Sequence, residues 1–248
     1  MDPAGLQKEF HKNADSRRFW NRLRNPFLRP KESRLADRIA KALPAGGCRV
    51  LEVGCGEGGV VAYLRERRPD ATCFGLDFSQ EKVAFLSRHC PQTLPVCGDA
   101  LSLPFETGTF DAVVYRDVLH HVNWAREQVL SEGLRVVRHG GVVIVLESNG
   151  RTLLNRLFQV LYPAERGLRD STWAGLMGMG TRMGRATVEY VEASFLVRAI
   201  GFVIGWPEGW AAWLVRPLYM CARLWEALVE RLAPRSSWTY MMMCLRRS

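Results

Sequence analysis

A chain of 248 residues, 48% of them hydrophobic, is long enough for one large α/β domain or two small ones and too apolar to be disordered. The net charge of +9 is concentrated at one end, where residues 1–49 hold 12 Lys or Arg against 5 Asp or Glu. Seven cysteines without a Cys-x-x-Cys pair imply neither a disulfide framework nor a zinc site, no other metal site is expected, and the polar start Met1–Phe10 lacks a secretory signal; the expected compartment is the cytoplasm.

In chain order, residues 5–24 and 32–43 read as two helices separated by Asn25-Pro26 and Arg29-Pro30. Their cations, among them Arg17, Arg18, Arg22, Arg24, Arg29, Lys31, Arg34 and Arg38, suit an anionic lipid surface, a nucleic acid, an acidic substrate or simply a solvated helix face. No zinc-finger or aromatic RNP pattern accompanies them, which disfavours nucleic acid.

Val50, Leu51 and Val53 then predict a buried strand, with Glu52 inside it and glycines at 54, 56, 58 and 59 after it. Such a turn lets a backbone approach a nucleotide-type cofactor; Gly54, Gly56 and Gly59 also spell a dinucleotide G-x-G-x-x-G, and a plain glycine turn before a helix fits as well. Val60–Arg68 reads as a helix, Ala71–Leu76 as a strand ending at Asp77, and a helix opens at Ser79 or Gln80. Leu94–Cys97 is a short strand stopping at Gly98-Asp99, and Phe110–Tyr115 a longer one. Trp124–Arg138 is helical with His139-Gly140-Gly141 as its stop, and Val142–Leu146 is an all-apolar strand.

That alternation predicts an α/β fold, a Rossmann-like, mostly parallel sheet with helices on both faces. Asp77 stands where a carboxylate accepts from both ribose hydroxyls of a nucleoside. Asp99 suits the exocyclic amine of an adenine, with Phe78 and Leu101 offering apolar surface to its faces, although helix capping explains either aspartate alone.

Residues 148–184 leave this rhythm, with a helix-like Leu153–Leu161 and methionines and glycines from Met177 to Gly184, and read as a mobile apolar lid or a long surface loop. Thr187 is expected to cap a helix running to Ile200, and Gly201-Phe202 to enter a short strand. Between Trp210 and Leu232 apolar residues recur at helical spacing, which suits core packing, a homodimer interface or, with Trp206, Trp210, Trp213 and Trp225, a membrane surface; the span is too interrupted to cross a bilayer. Trp238–Leu245 is a final strand. The expected organisation is N-terminal basic helices over 1–44 as a lid or cap, a cofactor-binding core over 45–147, an insertion or lid over 148–184 and completion of the sheet over 185–248 around a helical insert at 208–233.

In sum of its motifs, Val50 to Gly58, Gly75-Leu76-Asp77, Gly98-Asp99-Ala100, Phe110 to Val114 and Leu134 to Gly141, the chain resembles the class I S-adenosylmethionine-dependent methyltransferases, especially small-molecule enzymes related to quinone biosynthesis. A nicotinamide enzyme leaves Gly98-Asp99 and the Phe110–Val114 strand without a role. The resemblance implies a seven-stranded sheet whose last strand inserts antiparallel beside the fifth, with Glu52, Gly54, Cys55, Gly56 and Gly58 holding the methionine end of S-adenosylmethionine, Asp77 its ribose, and Asp99 and Ala100 its adenine.

Methyl transfer is an in-line displacement, so holding two atoms in a dry pocket supplies much of the catalysis and a protein base is optional. The candidate bases are His121 and His120, of which the Leu-x-His of the resembling family favours His121; both equally suit ordering the turn. Arg116 suits the cofactor, an anionic substrate or a salt bridge, and Glu147 the acceptor site or the lid backbone. The expected acceptor is an apolar small molecule with room for an anionic group, methylated at oxygen. A non-catalytic cofactor- or partner-binding protein and a peripheral-membrane enzyme acting on a lipid-like substrate are the alternatives.

Overall fold

A computed structural model describes residues 3–193, 197, 200 and 212–247. Strands β1 (Arg49–Val53), β2 (Thr72–Asp77), β3 (Leu94–Cys97), β4 (Phe110–Arg116), β5 (Val137–Ser148), β6 (Arg185–Glu192) and β7 (Tyr240–Arg246) form one sheet in the order β3-β2-β1-β4-β5-β7-β6. The first five pair in parallel, and β7 runs antiparallel to both β5 and β6. The last strand therefore lies beside the fifth, from Val142 opposite Arg246 to Ser148 opposite Tyr240.

The strand sequences account for the two buried faces. In β5, Val142, Ile144 and Leu146 join one core cluster while Val143 and Val145 join the other, and all five are buried. An uninterrupted apolar run is what a strand covered on both sides needs, and each such side chain contributes about 1.5–3 kcal/mol on burial. The first face is covered by α3 (Arg29–Ala42), α4 (Gly59–Arg67) and α5 (Gln80–His89) through Leu35, Ile39, Val61, Leu64 and Leu86; the second by α6 (Arg126–Val136) and α8 (Trp173–Met183) through Val129, Leu130, Leu176 and Met179.

Several elements differ from the sequence reading. The helix expected over 5–24 is two helices, α1 (Pro3–His11) and α2 (Ser16–Arg24), because the Asp15 carboxylate accepts from Arg18 N and caps a new start. His139-Gly140-Gly141 lies inside β5 rather than ending a helix. Residues 185–192 form β6, not a helix capped by Thr187: Thr187, Val188, Tyr190 and Val191 are strand formers, and β7 offers Met243 opposite Val188. The strand expected at Gly201-Phe202 lies outside the described residues, as do Trp206 and Trp210.

The methionines expected in a lid pack instead on the sheet. Met177, Met179 and Met183 of α8 join the core cluster beneath β6 and β7. Before α8, α7 (Leu153–Leu161) and the 3-10 segment Pro163–Asp170 cross the carboxyl edge of the sheet. The insert appears as α9 (Ala212–Leu232), whose inner face is Val215, Tyr219, Ala222 and Glu226, while Trp213, Leu224, Trp225 and Leu232 are exposed. Among the described residues no helix is long and apolar enough to cross a membrane.

Candidate active site

A cavity opens at the carboxyl ends of β1, β2, β3 and β4, where the strand order reverses between β1 and β4, the place an open α/β sheet leaves a crevice. Its floor is the turn after β1. Gly54 takes φ +70°, and a Cβ there would meet Val118 Cγ2 at 2.6 Å; Gly54 N and Cys55 N both donate to Leu76 O, at 2.8 and 3.0 Å. Glu52, Gly54, Cys55, Gly56, Asp77, Phe78, Asp99, Ala100, Leu101 and Arg116 all line the cavity. Gly58 does not line it. At φ +90° and with Leu86 Cδ1 2.3 Å from where a Cβ would stand, it shapes the start of α4 instead.

The carboxylates are held by backbone donors. Asp77 accepts from Gly56 N and Ser79 N, each at 2.9 Å, which uses two of its roughly four lone-pair sites and leaves others for a ligand. Burial raises its pKa, with Lys82 opposing. Asp99 accepts from Leu101 N at 2.9 Å. Glu52 accepts from Val61 N at 3.1 Å, and burial pushes its carboxyl up to about 8 against the pull of Arg116 and Arg22.

Arg116 lines the cavity, yet its guanidinium is committed: Nη2 lies 2.5 Å from Glu32 Oε2, Glu32 Oε1 lies 2.8 Å from Lys31 Nζ, and all three side chains are about 5% exposed or less. Burial alone would raise the Glu32 pKa, but Arg116, Lys31 and Arg22 outweigh it and hold the carboxyl well below the usual range. The next residue, Asp117, has a left-handed φ of 53°, an uncommon conformation that Asp tolerates; it accepts from Ser148 Oγ and Tyr240 Oη, both at 3.0 Å.

The two histidines diverge. His120 faces away from the cavity, with Nδ1 2.7 Å from Glu147 Oε2 and Nε2 3.5 Å from Glu165 Oε2. Burial pulls its pKa down, but Glu147 and Glu165 overcome this and push it up to about 10. It is therefore the cation of an internal triad and not a base at the cavity. Two groups, Asp117 with His120 and Glu147, and His120 with His121 and Glu165, place ligand atoms within 4.8 Å of one another, but a protonated His120 already fills the cationic role there. Because its folded pKa lies above the ordinary 6.5, its stabilisation is full below about 6.5 and drains as pH rises towards 10. His120→Gln should thus cost about 3 kcal/mol at pH 6, by urea unfolding, with the gap to wild type closing at alkaline pH.

His121 does line the cavity, and its Nδ1 has no hydrogen-bond partner among the described residues. Its ring centroid is 4.2 Å from that of His11, whose Nε2 is likewise buried and unpartnered. Burial, then neighbouring positive charge, holds His11 down at about 3 and His121 well below its ordinary value, so both imidazoles are neutral.

The N-terminal helices supply a wall that sequence reasoning assigned only to a basic cap. Gln7, Lys8 and His11 of α1 and Arg18 and Arg22 of α2 all face the cavity. Gln7 Nε2 donates to Ala164 O at 2.7 Å, Ser79 Oγ donates to Lys12 O, and Asp15 N donates to Glu57 Oε1 at 3.0 Å, tying this wall to the 3-10 segment and to the glycine turn. The N-terminal cations are thus not free to coat a surface as a group: Arg18 and Arg22 turn inward, Lys31 is paired with Glu32, and Arg34 is paired with Glu192 at 2.9 Å. The spacing that signals this is Arg18 and Arg22 at i and i+4, one face of one helix.

A seven-stranded 3-2-1-4-5-7-6 sheet carrying this glycine turn and these strand-end carboxylates is the class I, Rossmann-like methyltransferase fold. Residues 51–145 match the family described as methyltransferase domain. It is similar to the malonyl-acyl-carrier-protein O-methyltransferase of Herminiimonas arsenicoxydans, 39% identical over 113 residues, 44% of this chain and 41% of that protein. It is also similar to a fatty-acid O-methyltransferase of Mycolicibacterium smegmatis, 41% identical over 108 residues, 42% of this chain and 39% of that one. The chain therefore matches about two fifths of the length of these relatives. A Thermotoga maritima structure described as a SAM-dependent methyltransferase, possible histamine N-methyltransferase, has the same fold, with a TM-score of 0.60 over 93% of this chain and 99% of that one at 16% identity.

Proposed function

We propose that the protein transfers a methyl group from S-adenosylmethionine to an oxygen atom of a lipid-like acceptor, an ionised carboxylate foremost. The observation that carries this is the pairing, in one cavity, of the Gly54–Gly56 turn and Asp77 with two neutral histidines, each with one buried ring nitrogen that no described residue bonds, and nearby cations. The cradle fits the cofactor: Gly54 and Gly56 leave backbone open at the cavity, Asp77 retains lone pairs for ribose hydroxyls, and Phe78 and Leu101 flank Asp99 with apolar surface for a purine. Arg22 and Arg18, on the α2 wall, supply positive charge for a carboxylate at the other end. When bound, S-adenosylmethionine supplies an electrophilic methyl group.

What the chain itself must do is orient and dry the site. His11 and His121 stay uncharged throughout the neutral range. His121 bonds the Ala164 backbone through its other ring nitrogen, which leaves a lone pair and no N–H at its Nδ1. Of the two, only His11 can therefore donate an N–H to an acceptor oxygen, while His121 shapes the wall beside it. A carboxylate needs no deprotonation, and Arg18 and Arg22 complement its charge. α1, bolted down through Gln7, excludes water, so positioning carries much of the rate. The names of the two relatives, O-methyltransferases of malonyl-acyl carrier protein and of fatty acid, support an oxygen acceptor on a lipid-like molecule.

The test is transfer of radiolabelled methyl from the cofactor to a long-chain fatty acid, the matching alcohol and the matching amine. The expected result is ester from the acid, with kcat at saturating cofactor flat between pH 6 and 7, where neither histidine titrates and which lies below the titration of Glu52 at about 8. His121→Ala should lower kcat about 10- to 100-fold with cofactor affinity unchanged. Label found only on the amine, or a rate that rises steeply between pH 6 and 7, contradicts the proposal.

A further inference from the structure

We infer that the outer face of α7, with the arginines around it, docks on an anionic phospholipid surface. α7 is inverted relative to an ordinary surface helix. Asn155 is its fully buried residue, and Asn155 Nδ2 and Gln159 Nε2 donate to Asn149 O and Gly150 O at 2.8 and 2.9 Å, holding the helix down by polar groups. Leu153, Leu157, Val160 and Leu161, spaced i, i+4, i+7 and i+8, form the outward stripe at 78, 52, 77 and 58% exposure. A helix that turns polar groups to the protein and aliphatic ones to solvent matches one that lies in a membrane interface.

The charge around the stripe selects the surface. Arg151 just before α7, Arg156 on it, and Arg166 and Arg169 on the following segment are exposed and ring one recess with Val160, and none forms an ion pair among the described residues. Four cations beside an aliphatic stripe complement acidic headgroups, whereas a two-fold contact between copies of this face would bring like charges together.

The placement links this face to the cavity. The inner side of Pro163–Asp170 carries Ala164 and Leu168, and Gly167 sits so close to the His120 turn that a Cβ would come within 1.8 Å of His120 O. One layer of chain thus separates Arg166 and Arg169 from His121. Asn149 Nδ2 also donates to Ser236 O and Trp238 O, at 2.9 and 2.8 Å, so the segment that follows α9 is tied to the same edge. The inference rests on the lipid-like acceptor reading only for its purpose; docking itself is read without turnover.

The experiment is co-sedimentation of the full chain with phosphatidylcholine vesicles with and without phosphatidylglycerol. Binding should require the anionic lipid and weaken with salt. Arg156→Gln with Arg166→Gln should reduce it about thirtyfold, roughly fivefold per arginine, and Leu157→Gln with Val160→Gln should reduce it comparably. Titration with S-adenosylhomocysteine shows each variant folded. Equal binding to both vesicle types, binding unchanged in both double variants, or association only with an acidic carrier protein and no vesicle overturns the docking; retained S-adenosylhomocysteine affinity in that case leaves the methyltransferase reading standing.

Discussion

Glu32→Ala lowers stability by about 3–5 kcal/mol, read as a fall in the urea midpoint at unchanged slope. The reason is the company Glu32 keeps: Arg116 at 2.5 Å and Lys31 at 2.8 Å, all essentially out of solvent. Removing the carboxylate leaves two buried cations, with Asp117 Oδ2 at 3.8 Å from Arg116 Nε as a poor substitute. Because the loss comes from unpaired charge rather than from packing, the double variant Glu32→Leu/Arg116→Met should recover much of it. If Glu32→Ala and the double variant are equally destabilised, the ion pair is not what holds α3 against β4.

Asp77→Ala should weaken binding of S-adenosylhomocysteine about 100-fold or more. A hydrogen bond to a charged group is worth about 1.5–3 kcal/mol, and in the proposed binding mode this carboxylate accepts from two hydroxyls. It also anchors Gly56 N and Ser79 N, so its loss slackens the glycine turn as well. Gly58→Ala separates the two effects: it disturbs the turn through its φ of +90° and the Leu86 contact without touching the ligand surface, and should cost stability more than affinity. Equal losses of affinity in both variants would assign the effect to the turn alone.

The core was legible because its signals are local. Short β-branched apolar runs such as Val142–Leu146 suit strands covered on both faces, and glycines followed by Asp77 and Asp99 mark the strand ends that build the cavity. What could not be read is what depends on distant parts of the chain. Nothing near Arg116 in sequence announces Glu32, 84 positions away, and nothing near His120 announces Glu165. His121 and His11 meet only because α1 folds back over the β4 edge. Thr187 looked like a helix cap because its pairing with Cys244 of β7 is set by tertiary register, and the methionines of α8 looked like a lid because their spacing does not say which surface they meet.

The central claim is that the cavity beneath α1 is built for S-adenosylmethionine. Calorimetric titration of the purified chain with S-adenosylhomocysteine tests it most directly. Saturable binding at one site per chain, lost in Asp77→Ala, is the predicted result; absence of saturable binding, or binding that Asp77→Ala leaves intact, would contradict it.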